Sequence, residues 1–379
     1  MELIGSLYRW QQEVRQHVEA RLYKLRHKDD SYSVRLREVE FQRILLVIAG
    51  LIGDTVMSVP VIIEARRLWP NAHITVLGQK HNCDLLSPCP LIDRCVLTSA
   101  LPFSLTKMRE LKRLQRWLGE ERFDVALLVL GYQFALMAAK AGIPIRVGVQ
   151  ESCLAPCLTH TYTVGAPQSW GPGERLNILR CLSHDVRDVS PRVWISNEAR
   201  ESSREKLAKL GLSSGQSYVV LHPFGSTRRQ WWPAERAARL CARLGDDLGT
   251  RTLVVGGPET RPRVPKSTSK QMISVAGLLS LQELSAVLEN AALVVSTDSG
   301  PLHIAGALGR PVIGLFRERR PEHATRYSSL KAVIGDHQTC QTSCKWNYCA
   351  QVPCRQLRDI SADEVLAAAR GIVTTKAHA

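Results

Sequence analysis

The chain has 379 residues, 45% hydrophobic and 22% charged, the composition of a globular protein with room for two domains of ordinary size. Fifty Lys and Arg against 35 Asp and Glu give a formal charge of +15, an excess that points to an anionic partner. The sequence contains no low-complexity tract, no fixed-period repeat, no apolar run of the ~20 residues a membrane-spanning helix needs, and no nucleic-acid-binding motif, so no nucleic-acid partner is expected.

At the start of the chain Leu3, Leu7, Trp10, Val14, Val18, Leu22 and Leu25 recur at intervals of three and four, one apolar stripe of a helix. This predicts an N-terminal helical extension over residues 1–40 that packs on the following domain, with a membrane surface as the alternative seat. The opening Met1-Glu2-Leu3-Ile4-Gly5 lacks the basic-then-apolar plan of a signal peptide, so a cytoplasmic location is expected.

A strand-helix alternation begins at Arg43 and predicts a first domain over residues 41–190. Ile44–Ile48 reads as a buried strand, Gly50–Gly53 as a turn, and Thr55–Leu68 as a helix stopped by Trp69-Pro70; Ile74–Leu77, Cys95–Leu97 and Val125–Leu130 read as further strands. Between the last two lies a basic helix around Lys107–Arg116, with Met108, Leu111, Leu114 and Leu118 at helical spacing. Its charges are a solvated face or a patch for an anionic acceptor or membrane. Residues 166–173 are turn-rich, and a helix over Glu174–Cys181 is expected after them.

The alternation restarts in a second domain over residues 191–379. Tyr218–Leu221, Thr252–Val255, Met272–Val275, Leu293–Val295 and Val312–Leu315 read as strands, with helices at Glu198–Leu210, Ala234–Leu244, Leu281–Glu289 and Leu302–Leu308. Two parallel-sheet α/β domains follow, with ligands expected at carboxyl ends of strands in a cleft between the domains.

The chemistry sits in the loops at those strand ends. Ser296-Thr297-Asp298-Ser299-Gly300-Pro301-Leu302-His303 follows a buried strand and opens a small-residue helix, whose first turn has backbone N–H groups without internal acceptors. That predicts a phosphate cradle with Asp298 as N-cap and His303 facing the ligand; a plain strand-to-helix connection is the bland alternative. Ser226, Thr227, Arg228 and Arg229, after the strand ending in His222-Pro223, suit a diphosphate, because guanidinium forks match phosphate geometry. Glu259, after Gly256-Gly257-Pro258, and Leu279, after Ala276-Gly277-Leu278, end two more strands and could hold ribose and base. In the first domain Asp54, after Gly50-Leu51-Ile52-Gly53, is either a helix cap or a carboxylate base, and the missing third glycine argues against a dinucleotide cofactor.

Toward the C-terminus Cys340, Cys344, Cys349 and Cys354 form Cys-x3-Cys-x4-Cys-x4-Cys, which could close on a structural zinc or iron, with packed thiols or a disulfide as alternatives. The other seven cysteines, Cys83, Cys89, Cys95, Cys153, Cys157, Cys181 and Cys241, are scattered, several beside apolar residues, and are expected to be packing residues.

Taken in order, Gly50-Leu51-Ile52-Gly53-Asp54 with Pro60, Trp69-Pro70, His222-Pro223 to Trp232-Pro233, Gly277-Leu278-Leu279-Ser280-Leu281 and Asp298-Ser299-Gly300-Pro301-Leu302-His303 resemble glycosyltransferase family 9, the ADP-heptose:lipopolysaccharide heptosyltransferases. The likeness runs from about Arg43 to the C-terminal helix and leaves residues 1–40 unmatched. It implies a GT-B fold, two Rossmann-like domains facing across a cleft. It also implies inverting transfer of heptose from ADP-heptose to a lipopolysaccharide core acceptor, a phosphorylated glycolipid reached by peripheral contact with the inner membrane. By the same resemblance Asp54 matches the catalytic base. Ser226 and Thr227 match hydroxyl contacts, Glu259 a ribose contact, and Asp298, Ser299, Gly300 and His303 the surroundings of the donor's diphosphate and sugar. Family members often carry Lys two residues before the Trp-Pro pair, where this chain has Gln230. No Asp-x-Asp triplet occurs, so the sequence gives no support to an obligatory metal on the diphosphate, and no catalytic cofactor is expected. A protein, O-antigen or capsule acceptor, a nucleotide-sugar epimerase and a non-catalytic nucleotide-sugar-binding scaffold remain as alternatives.

Overall fold

The computed structural model describes residues 18–21, 39–99, 108–164, 171–213, 215–264, 269–316, 327, 329–334, 352 and 354–373. The chain divides into two compact units, Met1–Pro191 and Arg192–Ala379.

The first unit is built on strands β1 (Arg43–Ile48), β2 (His73–Gly78), β3 (Arg94–Leu97), β4 (Val125–Leu130), β5 (Ile145–Val149) and β6 (His160–Tyr162), all parallel, in the order β3-β2-β1-β4-β5-β6. The central strands are runs of Val, Ile and Leu buried along almost their whole length, as a parallel sheet covered on both faces requires. The edge strand β3 is exposed at both ends and reads less apolar. Connections carry helices α2 (Ile52–Leu68), α3 (Lys80–Leu86), α4 (Met108–Glu120) and α5 (Ala135–Lys140), and the short helices α6 (Pro172–Arg175) and α7 (Asn177–Arg180) follow β6. The single helix expected over 174–181 is thus two, set in chain between Gly171, at φ +84°, and Ser183, at φ +65°. Helix α2 starts three residues earlier than expected and ends where Trp69-Pro70 predicts. There the buried Trp69 donates from its indole to the Val39 carbonyl (3.2 Å) and meets the edge of His184.

One helical turn of the N-terminal extension, α1 (residues 18–21), is described. Ala20 is buried among Leu111, Leu114, Leu118 and Phe134, and Glu19 pairs with Lys140 (3.3 Å), so this turn packs on the domain. The remainder of the expected helix over 3–25 lies outside the described residues. Among the described residues no helix is long and apolar enough to cross a membrane.

The second unit repeats the plan. After α8 (Asn197–Lys209), strands β7 (Tyr218–His222), β8 (Arg251–Val254), β9 (Met272–Ser274), β10 (Leu293–Thr297), β11 (Val312–Phe316) and β12 (Leu330–Ile334) form a parallel sheet ordered β12-β11-β10-β7-β8-β9. Helices α9 (Ala234–Leu248), α10 (Leu281–Glu289) and α11 (Gly300–Ala307) lie between strands, and helices Arg355–Asp359 and Ala362–Val373 end the unit. Trp232 belongs to the core that α9 shares with the C-terminal helices, and its indole donates to the Ile360 carbonyl (3.1 Å). Each unit is thus a doubly wound, Rossmann-like α/β domain built on one six-stranded parallel sheet.

One expectation about cysteines fails. Cys83 on α3 and Cys95 in β3 are joined as a disulfide, with Cα atoms 5.7 Å apart, because the helix following β2 returns its chain directly to the strand that pairs with β2. Cys89, Cys153, Cys157, Cys181, Cys241 and Cys354 are free.

Candidate functional site

In each sheet the strand order reverses once, between β1 and β4 in the first unit and between β7 and β10 in the second. Chains leaving two such neighbours diverge to opposite faces, which opens a crevice at the carboxyl ends where α/β proteins bind ligands. Asp54 falls at the first of these points and Ser226–Arg229 and Asp298–His303 at the second, whereas Glu259 and Leu279 follow β8 and β9.

At the β7/β10 point the two loops are stitched together. His222, the last residue of β7, donates from Nδ1 to the Ser299 hydroxyl (3.0 Å), which in turn donates to the Thr297 carbonyl (3.0 Å); the Thr297 hydroxyl bonds to the Phe224 carbonyl. Ser296, fully buried, stands 3.1 Å from the same Ser299 oxygen. Burial pushes His222 down to about 4, so the imidazole is neutral, and Ser299's commitment of its proton to Thr297 assigns the donor role to Nδ1.

Helix α11 begins here, but Ser299, extended at φ −162°, occupies the N-cap position expected for Asp298. The cap side chain makes no capping bond, since its hydroxyl is already held by Thr297 and His222. Pro301 has no N–H, and the Leu302 N–H turns back to the Ser299 carbonyl (3.1 Å), which leaves Ser299 and Gly300 as the backbone donors at the mouth. Asp298 is partly exposed and stands 3.6 Å from His303 Nε2. His303 is buried, its Nδ1 3.5 Å from the Tyr327 hydroxyl and its Nε2 on the side of Asp298.

The loop after β7 is a braced ring. The Trp232 N–H bonds to the Pro223 carbonyl (2.8 Å) and the Trp231 indole to the Gly225 carbonyl (3.0 Å). Inside it Gln230, buried, receives on one oxygen the Ser226 hydroxyl (2.7 Å), the Thr227 N–H (3.1 Å) and the Thr227 hydroxyl (3.3 Å). The backbone N–H can only donate, so it fixes which end of the amide faces the loop, and both hydroxyls must donate to it. Ser226, Thr227 and Arg228 are exposed, and Arg229 gives its carbonyl to the Cys354 N–H (3.0 Å). The β8 and β9 loops adjoin through Gly277 N–H to Gly256 O (2.8 Å). Gly277 has φ +71°, and a Cβ there would lie 2.9 Å from the Pro258 Cα, so glycine is required. Glu259 is exposed in the 3-10 turn Pro258–Arg263, and Leu279 is half-buried.

At the β1/β4 point Asp54 is the third residue of α2. Its Oδ2 accepts the Leu51 N–H (3.1 Å), and its Oδ1 accepts from Arg175 Nη2 (2.7 Å). Asn82, fully buried, holds the same loop by donating to the Gly50 carbonyl (2.9 Å) and the Thr55 hydroxyl; His81 meets the Gly50 carbonyl as well (2.7 Å).

Sequence reasoning missed Arg175, His222 as a site residue, and Asn82. His222 was legible as the end of a strand in the His-Pro motif, but Arg175 stands 121 residues from its partner and carries no local signal. Of the cysteine cluster, Cys340, Cys344 and Cys349 lie outside the described residues. Cys354 is buried with a free thiol, and among the described residues no three candidate ligands stand together.

The glycosyltransferase family 9 (heptosyltransferase) profile matches residues 111–351. The chain belongs to that family. It is 38% identical over 297 residues to lipopolysaccharide core heptosyltransferase OpsX of Haemophilus influenzae, covering 76% of this chain and 82% of that protein. Among solved structures, a family 9 glycosyltransferase from Veillonella parvula superposes with a TM-score of 0.75 at 21% identity, over 89% of this chain and 99% of that one. The ADP-heptose LPS heptosyltransferase II of Escherichia coli gives 0.72 at 20%, over 88% and 99%. This family 9 chain is therefore an enzyme of the glycosyltransferase class with a GT-B fold.

Proposed function

We propose that the enzyme transfers heptose from ADP-heptose to the inner core of lipopolysaccharide with inversion at the anomeric carbon. The observation that carries this reading is the β7/β10 crevice, where His222 and Ser299 bring together a hydroxyl- and arginine-bearing loop and an open helix start in a family 9 chain. The relatives' own names supply the substrate class: OpsX is a lipopolysaccharide core heptosyltransferase, and the Escherichia coli structure is that of an ADP-heptose enzyme.

In this mechanism Asp54 accepts the proton of an acceptor hydroxyl as that oxygen bonds to the anomeric carbon. The bond from that carbon to the diphosphate oxygen breaks on the opposite face, and ADP leaves with the electron pair. The Ser299 and Gly300 N–H groups, Arg228 and the Ser226 and Thr227 hydroxyls meet the charge that grows on the leaving phosphate, while Arg229 adds its charge to the loop. Glu259 and Leu279 are assigned to ribose and base. No step calls for a metal, and the cysteine cluster is a candidate structural zinc or iron site only. Metal content of the purified enzyme, compared with its Cys354→Ser variant, decides that point.

A seat at the cytoplasmic face of the inner membrane is part of the proposal. Helix α4 spends Leu111, Leu114 and Leu118 on the core and exposes Arg109, Lys112, Arg113 and Arg116. Contact with an anionic surface through it is electrostatic, and sedimentation with anionic vesicles should be lost at about 0.5 M salt, where the Debye length falls to about 4 Å, or on reversing these charges. The deciding experiment is incubation with ADP-heptose and deacylated core acceptors, with product mass and ADP both followed. Sugar interconversion without acceptor identifies an epimerase, and nucleotide binding without ADP release identifies a scaffold. Product with a protein or capsular acceptor alone moves the acceptor assignment.

A further inference from the structure

We propose that Arg175 is a positioning residue for the reaction, holding the Asp54 carboxylate in the orientation in which it takes the acceptor's proton. This rests on the reading of Asp54 as the base and adds a residue that no sequence motif marks.

An acidic residue at the third position of a helix commonly reaches back to the N–H at the helix start, and Asp54 does so through Oδ2 to Leu51 (3.1 Å). One such bond leaves the carboxylate plane loosely set, because the torsion that turns it is broad and nearly two-fold. The second hold comes from Arg175, whose Nη2 lies 2.7 Å from Oδ1. Two bonds from different directions define the plane. A carboxylate has about four acceptor positions, so each oxygen keeps capacity for a substrate hydroxyl.

Arg175 is delivered by a braced element. Helix α6 starts at Pro172, directly after Gly171 at φ +84°, and its Gly173 carbonyl accepts from Arg180 Nη1 (3.0 Å), while Arg180 Nη2 is tied to Asp188 (2.7 Å). The Arg175 side chain is 16% exposed against 30% for Asp54, so the guanidinium is the deeper member and the carboxylate the one on the open side. A cation at that depth needs a partner, and the pair is set so that the carboxylate, not the guanidinium, is the member a substrate hydroxyl can reach.

The test is a double-mutant cycle on the full chain with Asp54→Asn and Arg175→Ala, reading kcat, the acceptor KM, ADP affinity and Tm. If Arg175 acts through Asp54, Arg175→Ala lowers kcat on the order of 10²-fold, as misplacement of a catalytic group does, with ADP affinity unchanged. It then adds nothing in the Asp54→Asn background. Guanidinium at non-denaturing concentration restores part of the loss in Arg175→Ala and none in the double variant. Where alanine lowers Tm, Arg175→Met keeps the packing of the stem and carries the same comparison. An equal loss from Arg175→Ala in both backgrounds, or a folded Arg175 variant with wild-type kcat, overturns the proposal. Near-normal turnover of Asp54→Asn alone overturns the base reading beneath it, an outcome read without any Arg175 variant.

Discussion

At the β1/β4 switch point of the first unit, the loop after the central strand carries a carboxylate fixed by a guanidinium. At the β7/β10 point of the second unit, the corresponding loops are knit by neutral groups, namely His222, Ser299, Ser296, Thr227 and Gln230. The two sheets have the same strand order, so topology places both loops and does not choose between these chemistries. On the proposed function, the choice follows the charge of the group each site meets. A group that must accept a proton has to be anionic beforehand, and an ion so close to the interior needs a counter-ion. On the same proposal the second loop receives a diphosphate, which brings its own negative charge: neutral groups knit the base of the loop, Arg228 and Arg229 supply cations, and each charge-assisted bond is about twice as strong as a neutral one.

The largest effect that can break this contrast is at Asp54. Asparagine preserves the shape and an acceptor for the Leu51 N–H but removes the charge, and kcat should fall by roughly 10²–10⁴-fold, the usual contribution of a general base. ADP affinity should not change. Loss of ADP binding instead would mean that the first unit's carboxylate belongs to the donor site and that the division of labour is wrong.

Much of this layout is legible in the sequence, for reasons that particular residues make clear. The strands Ile44–Ile48, Val125–Leu130 and Leu293–Val295 are apolar runs that only a doubly covered sheet can bury, and the loops after them stand at strand ends wherever the helices go. Strand β6, His160–Tyr162, has three residues, one of them exposed, and no run to recognise. Asp298 reads as a cap because Asp is common there, yet the hydroxyl of Ser299 satisfies the carbonyl behind it and the ring of His222, and the helix starts one residue later. Arg175 and the Cys83–Cys95 pair depend on where remote segments return, information that no local pattern contains.

The neutral imidazole of His222 makes an acid-stability prediction. His222 is pushed down to about 4 by burial, against an ordinary value of 6.5. As pH falls below 6.5 the unfolded chain binds a proton that the folded one refuses, so stability declines until about 4, below which both states are protonated. Between pH 7.5 and 5 this group alone should remove ~2 kcal/mol. Urea midpoints of the wild type and His222→Gln at the two pH values isolate it. An unchanged difference between the two proteins at pH 7.5 and pH 5 would mean that the ring is charged in the crevice and the neutral description fails.

The smallest effect, and the one that sharpens the comparison most, is at Gln230. Its oxygen accepts hydrogen bonds from Ser226 and Thr227, so the resting loop satisfies itself, and on the proposed function a diphosphate has to draw those hydroxyls away. Lysine cannot accept the Thr227 N–H or either hydroxyl. Gln230→Lys therefore frees the two donors, adds a cation, and leaves that cation largely buried without a partner until phosphate arrives. The folded protein without ligand should be less stable by about 1–3 kcal/mol, while ADP should bind about tenfold tighter and with a steeper salt dependence. Thermal shifts with and without ADP read both terms at once, because the ligand's contribution is set by free ADP relative to its Kd and adds to the stability of the free state. Gln230→Met, which removes the acceptor and adds no charge, separates them: it should lower the free-state Tm and keep only the part of the ADP gain that the freed donors supply, without the steeper salt dependence. If lysine destabilises the free protein and ADP recovers none of the loss, the Ser226–Gln230 ring is a structural brace, and the diphosphate contacts rest on the Ser299–Gly300 helix start alone.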